Sequence, residues 1–398
     1  MLLMVILFFH WHSNFLKKNS SSIFEDNSEN YYEIKRIERE KMGNFRKSKT
    51  QIYKTDRSTI TAVLNEFKEL HLSEYEFYIK IGKYLLMTEQ LFSLGFPEES
   101  LSGVCILNSH FPFSRSVPNF NKNKKARIRF EDCPDDILKM RVFEQTCARC
   151  GTEFYLTSAG YLTHERCYYH YGKLKYQWRD GNQDSVFTCC GRPFNSKGCS
   201  VGQLHVWSGL ERGLNDNLEG FVRTQPRTNL WVSPGIYALD CEMCYTIKGM
   251  ELCKVTVVDM EGRRLYNSFV KPEYYVIDYN TRFSGVTERD VAIFGKTLSQ
   301  VQQELLTFIH EDTILVGHSL NNDSRALKIV HKNFIDIALV FPHERGYPYR
   351  YSLKQLTLRC LKKEIQSSDY GHNSFEDAVS CIELLLWKIV QDIREEEQ

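Results

Sequence analysis

The alternation of apolar and polar positions divides the chain before any motif is read. Residues 1–9 form an apolar run, Met1 to Phe9. That run is too short for a membrane-spanning helix and follows no positive charge, so it reads as a pinned or frayed terminus, with a signal peptide as the alternative. Residues 10–57 are polar with mixed charge, a composition that leaves too little apolar surface to bury and predicts disorder. From residue 58 the period becomes helical. Ile60, Val63, Leu64, Phe67 and Leu70, then Phe77, Ile81, Tyr84 and Leu85, recur largely at three- and four-residue steps. A short helix follows and is closed by Gly95 and Pro97. Residues 98–140 read as a loop-rich linker, which makes 58–140 a helical lead region.

Beyond residue 232 the pattern changes again. Strands are predicted at about 236–241, 253–259 and 264–270, the last two joined by the turn Asp259-Met260-Glu261-Gly262, so they form an antiparallel meander. Helices are expected at 298–310, 321–331, 352–361 and 375–392, with strands at 313–318 and 334–341 between them. The carboxy-terminal part, 232–398, is therefore an α/β domain with a mixed sheet flanked by helices.

Composition adds limits. With 398 residues, 42% of them apolar, the chain can bury a sizeable core in two or three domains. A net charge of +1 supplies no global field toward nucleic acid, so phosphate binding must come from local groups or metals. The basic run from Asn121 to Arg127 reads as a solvated loop, with a nuclear address or an RNA contact as alternatives.

Cysteine placement is more informative than the count of thirteen. Cys147, Cys150, Cys167, His170, Cys189, Cys190, Cys199 and His205 fall within residues 141–210. Six thiolates and two imidazoles satisfy two tetrahedral zinc sites of three sulfurs and one nitrogen each, so zinc is favoured over disulfides. The pairing of ligands stays open, as does a single occupied site with spare thiols. His205 is preferred to His164 as the second imidazole. Two filled ligand shells leave no open position, so the zinc is structural. The other cysteines read as small buried residues of a reducing compartment.

The richest chemistry lies in Tyr237-Ala-Leu-Asp240-Cys-Glu242-Met-Cys244. On a strand, side chains alternate faces, so Asp240 and Glu242 project together and need a counter-cation. Asp323 falls in a first helical turn after the strand 313–318. His372 lies in the loop before a helix whose first turn holds Asp377. Taken singly, each acid is an ordinary strand-end or helix-start residue. Jointly they fit a site for two Mg²⁺ or Mn²⁺ ions of the kind used in phosphoryl displacement.

The set Asp240-x-Glu242, Asp323 and His372-x4-Asp377 resembles the DEDDh 3′-to-5′ exonucleases. The Leu-Asp-Cys-Glu-Met form, Asp278 to Thr287 and Gly317-His-Ser-Leu320 are similar to the RNA exonuclease 1 homologue group. The resemblance covers about residues 140–398. It implies a ribonuclease H-like fold, with Asp240, Glu242, Asp323 and Asp377 as metal ligands and Asp240 bridging. His372 would be the general base, and nucleoside 5′-monophosphate the product. It further implies single-stranded RNA 3′ ends as substrate and the nucleus as the setting. Arg282, Phe283, Ser284 and Gly285 are the candidate contacts to the terminal nucleotide, with a plain turn as the alternative. The stretch Cys167 to Gly172 with Cys189, Cys190 and Cys199 is also similar to CHORD modules. A DNA exonuclease, and a non-catalytic binding module that meets a protein partner through the zinc segment or the helical region, remain the other readings. No membrane partner is expected.

Overall fold

A computed structural model describes residues 57–108, 142–157, 160–179, 182–228, 233–368 and 371–398. The apolar first residues, the polar segment up to residue 56, the basic run 121–127 and Cys133 lie outside the described residues. Ser58–Arg227 and Pro234–Gln398 form one compact unit.

Three helices lead it: α1 (Arg57–Glu69), α2 (Glu74–Gly82) and α3 (Thr88–Leu94). Ser73 and Glu76 form a reciprocal capping box that satisfies free amides at the start of α2. Gly95 ends α3 at φ 81°, where a Cβ would stand 2.8 Å from the Leu107 carbonyl oxygen. The apolar stripe predicted from sequence packs onto the carboxy-terminal core through Val63, Leu64, Phe67, Leu70 and Ile81.

Part of the expected linker is sheet instead. Strands β1 (Glu98–Ser100) and β2 (Gly103–Asn108) pair with each other and with a later strand, Gly213–Leu218 (β10). Two short strands whose partner lies about a hundred residues away leave no local signature.

The Cys/His segment is built from small pieces. β3 (Phe143–Thr146), β4 (Glu153–Thr157) and β5 (Gly160–Tyr161) form one sheet, β6 (Cys167–Tyr169) pairs with β9 (Ser200–Gly202), and β7 (Leu174–Arg179) makes a hairpin with β8 (Asn182–Phe187).

The carboxy-terminal domain begins with β11 (Val222–Arg223). Its main sheet holds β12 (Ile236–Thr246), β13 (Gly249–Val258), β14 (Arg264–Lys271), β15 (Val276–Asp278), β16 (Lys296–Thr297), β17 (Ile314–Gly317) and β19 (Phe334–Asp336), in the order β16-β14-β13-β12-β17-β19 with β15 on β12. β12, β13 and β14 are the predicted meander, and β17 and β19 run parallel to β12. A short strand, Ile329–Val330 (β18), pairs with β11. Helices α4 (Thr281–Ser284), α5 (Glu288–Phe294), α6 (Leu298–Leu305), α7 (Leu320–Leu327), α8 (Ile337–Val340), α9 (Leu353–Leu356) and α10 (Ser374–Glu396) complete the domain.

Period-two alternation on β12 splits the core. Ile236 and Ala238 join the α10 side, while Leu239 and Cys241 join the side covered by α6 and α7. Several boundaries depart from the sequence reading. α6 ends at Leu305 rather than 310, and the helix expected over 321–331 ends at Leu327, beyond which β18 pairs with β11. The strand expected to reach 341 stops at Asp336, whose carboxylate accepts from the Ala338 amide and so starts α8. The helix expected over 352–361 is one α-turn followed by a π-turn, Thr357–Leu361. β12 runs five residues past Cys241 because β13 and β15 pair with it there. Among the described residues no helix is long and apolar enough to cross a membrane.

Candidate functional site

β12 brings Asp240 and Glu242 to one face, and the first turn of α10 brings Asp377 to meet them. Their carboxylate oxygens lie within 4.8 Å of one another. Asp323, in the first turn of α7, sits at the margin, where its Oδ1 accepts from the Cys241 amide at 2.9 Å. Burial is the main force raising all four acids above the usual carboxylate range, reinforced for Asp240 and Glu242 by their neighbours' charges; Asp323 and Asp377 are each pushed up to about 7. Glu242 Oε1 is buried with no hydrogen-bond donor. Lys254, opposite Glu242 in register, is the nearby cation that favours its ionised form, and burial lowers the lysine's own pKa. Four acids against Lys254, with Lys363 near Asp377 already paired to Glu383, leave a deficit of positive charge that divalent cations fit.

The surroundings fix these groups. Gln366 Nε2 donates to both oxygens of Asp377, at 3.1 and 3.0 Å. His372, half-buried, has a pKa lowered by that burial. Its amide donates to the Phe283 carbonyl at 2.6 Å, and the two rings meet edge-on. Gly371, at φ 96°, lets this loop press on the other: a Cβ there would stand 2.4 Å from the Gly285 amide nitrogen. The structure therefore joins Phe283, Ser284 and Gly285 to the histidine loop. Ser284 itself is buried, and its hydroxyl donates to the Tyr279 carbonyl and accepts from the Val286 amide, so it shapes the turn. Arg282 points to the Cys/His segment, its guanidinium carbon 3.9 Å from the Tyr171 ring centroid.

In that segment the eight ligands separate into two groups: Cys147, Cys150, Cys167 and His205, and His170, Cys189, Cys190 and Cys199. The second set is nested in sequence between members of the first. Sulfur–sulfur separations of 3.7 Å (Cys147–Cys167) and 3.5 Å (Cys189–Cys199) are far too long for disulfides. A tetrahedron with metal–sulfur bonds of about 2.3 Å and metal–nitrogen bonds of about 2.0 Å has edges of about 3.5–3.8 Å. The sulfur–nitrogen separations, 3.3 Å for Cys150–His205 and 3.4 Å for Cys190–His170, sit close to that range. His164 is exposed and belongs to neither group.

Some site residues escaped the sequence reading. Arg149, inside the first Cys-x2-Cys loop, donates to Asp278 at 2.7 Å and to Asn280 at 3.3 Å, and lies between the Tyr169 and Tyr245 rings. It pins the Cys/His segment to the turn that starts α4. Nothing in a two-residue gap between ligands announces such a role. Lys254, a lone cation in an apolar strand, was a readable signal. Gln366 was not, since a left-handed residue in a loop carries no pattern.

A ribonuclease H-like mixed sheet with two acids in mid-strand on its central strand and one at each of two helix starts defines the exonuclease fold. Residues 238–385 match the family described as exonuclease, and residues 145–203 match the RNA exonuclease 3 middle domain. Among similar proteins, Exonuclease GOR of Pan troglodytes is 48% identical over 249 residues, 62% of this chain and 36% of that protein. The RNA exonuclease 1 homolog of Homo sapiens is 39% identical over 322 residues, 80% of this chain and 24% of that protein. RNA exonuclease 3 of Schizosaccharomyces pombe is 38% identical over 244 residues, 61% of this chain and 43% of that protein. The chain thus spans about a quarter to two fifths of the length of these relatives. It belongs to the exonuclease family through its carboxy-terminal domain, and its Cys/His segment belongs with the RNA exonuclease 3 middle domain.

Proposed function

We propose that the chain is a metal-dependent 3′-to-5′ exoribonuclease that removes nucleoside 5′-monophosphates from single-stranded RNA ends in the nucleus. The observation that carries this reading is the convergence of Asp240, Glu242 and Asp377, with Asp323 at their edge, beside the His372 loop. Two Mg²⁺ or Mn²⁺ ions, held by these four acids, would supply Lewis-acid stabilisation of charge on the phosphoryl and leaving oxygens. Two structural Zn²⁺ ions would fill the Cys/His cages.

The chain's own residues do the rest. His372 takes the proton of the attacking water, and its lowered pKa keeps the imidazole neutral near pH 7. Gln366 holds the Asp377 carboxylate in one orientation. Lys254 favours the ionised Glu242 that a cation requires. Phe283, exposed beside His372, offers a ring to the terminal base. The preference for RNA takes its support from relatives named as RNA exonucleases.

The test is incubation of labelled single-stranded RNA and DNA with Mg²⁺ or Mn²⁺. Metal stabilisation worth several kcal/mol predicts that Asp240→Ala lowers mononucleotide release by about 10³-fold or more. Undiminished release by that variant rejects the site, and faster release from DNA rejects the substrate class. Imaging of a fluorescent fusion tests the nuclear setting.

A further inference from the structure

The β7–β8 hairpin presents large aromatic side chains to water. Tyr176 is 65% exposed and Trp178 75% exposed, and their two-residue spacing puts both on one face. Isolated exposed aromatics are ordinary, but a pair on one face of a small hairpin marks a contact surface. The register sets Ser185 opposite Tyr176 and Gln183 opposite Trp178, so no acid stands opposite either ring.

The charge of the segment names the occupant. Between residues 166 and 199 the sequence holds six cations, Arg166, Lys173, Lys175, Arg179, Arg192 and Lys197, against two acids, Asp180 and Asp184, a net of +4 in a chain whose total is +1. One zinc ion with the four thiolates in this window, Cys167, Cys189, Cys190 and Cys199, subtracts two and leaves the segment basic. Cation and ring already associate here, with Lys197 Nζ 3.9 Å from the Tyr168 ring centroid. Basic side chains interleaved with exposed rings suit single-stranded nucleic acid, whose phosphates and base faces they match.

The surface also leads somewhere. Tyr171, just before the hairpin, carries Arg282 on its ring, and the Phe283 carbonyl next in sequence holds the His372 amide. We propose that the hairpin is a second, upstream binding site for single-stranded RNA. The strand whose 3′ end lies at the acid cluster runs back past Arg282 and Tyr171 and stacks bases on Tyr176 and Trp178, within a segment whose net positive charge draws its phosphates. A six-residue strand spans roughly 20 Å, enough for several nucleotides. The polarity of the strand rests on the exonuclease reading above; the binding surface does not.

The experiment separates the two. Loss of stacking on one ring weakens binding by about 5- to 150-fold. In the full-length chain, Tyr176→Ala with Trp178→Ala should raise KM for an RNA of about ten nucleotides by at least that factor, with kcat kept. KM for a trinucleotide, too short to reach the hairpin, should not change, and Trp178→Phe should restore most of the affinity. RNA binding is also read in the non-cleaving Asp240→Ala chain, where quenching of Trp178 fluorescence should accompany binding and vanish in Trp178→Phe. Quenching without nucleotide release from the unmutated chain would retain the hairpin site and reject the exonuclease. Unchanged affinity for the longer RNA in the double variant would overturn the proposal and assign the rings to a protein contact. Equal loss on both substrate lengths would overturn it too, by making the hairpin a folding element.

Discussion

In the Cys/His module's cluster of six buried apolar residues, three are cysteines of one cage: Cys147, Cys150 and Cys167 stand with Phe154, Leu156 and Val206. In the exonuclease domain, α10 alone contributes fully buried Ile382, Leu384, Leu385, Leu386 and Ile389 to a continuous core against the sheet. One region has a continuous apolar core, and the other clusters few apolar groups beyond its cysteines. The two nevertheless meet at the candidate site, because Arg149 fixes Asp278 and Asn280 at the start of the loop that holds His372 in place. Filled with metal as proposed, a cage in a segment with little core would set the geometry of a domain that has a continuous core of its own.

Chelation should divide the regions most sharply. Structural zinc in small peptides contributes about 10–16 kcal/mol of apparent binding free energy that is also folding free energy. Removing it should abolish hydrogen-exchange protection across residues 143–206 while amides of α10 stay protected. Parallel loss in α10 would dissolve the distinction. The reciprocal perturbation is Leu385→Ala, which leaves a cavity in the α10 core and should cost about 2–5 kcal/mol. The thermal midpoint should fall while metal analysis still finds two zinc ions per chain; loss of zinc with the core would show that the regions fold as one.

How far the sequence revealed this depended on the range of each interaction. Asp240, Glu242, Asp323 and Asp377 were readable because a two-residue alternation and first-turn positions are local facts. The mixed sheet was readable for the same reason. The division of cage ligands was not, since Cys167 and His170 are three residues apart yet serve different cages, and only the fold decides between nested and consecutive pairing. Likewise β1 and β2 find their third partner in β10, and Arg149 finds Asp278, across more than a hundred residues. Separations of that kind leave no periodic trace.

Arg149→Ala tests the joint itself. Breaking a buried ion pair costs about 3–5 kcal/mol. Asp278 keeps about a third of its side chain exposed, so solvent screens it and about 1–3 kcal/mol is the better expectation. Because Arg149 lies between Tyr169 and Tyr245, Arg149→Lys should recover the charge but little of the stacking. If the joint positions the end-binding loop, KM for RNA should rise by about tenfold or more in Arg149→Ala with both zinc ions retained. Wild-type KM in a chain that has lost stability would confine Arg149 to a structural part.

The smallest effect concerns protons. Burial disfavours the imidazolium of His372 and lowers its pKa below the ordinary 6.5, with Lys354 acting in the same direction and Glu376 opposing. A general base must be neutral to act, so a lowered pKa extends activity toward acid. In the metal-saturated enzyme, kcat/KM should stay level from neutral pH down to below 6.5 and then fall. Lys354→Met removes one charge that opposes protonation, and should move this acidic limb upward by a fraction of a unit. Lys354 is exposed and donates to the Gln366 carbonyl at 3.1 Å, so the limb is read beside kcat at pH 8, where a disturbed Gln366 would lower the rate without moving the limb. A wild-type limb above 6.5, or one that persists in His372→Ala, would assign the proton to another group.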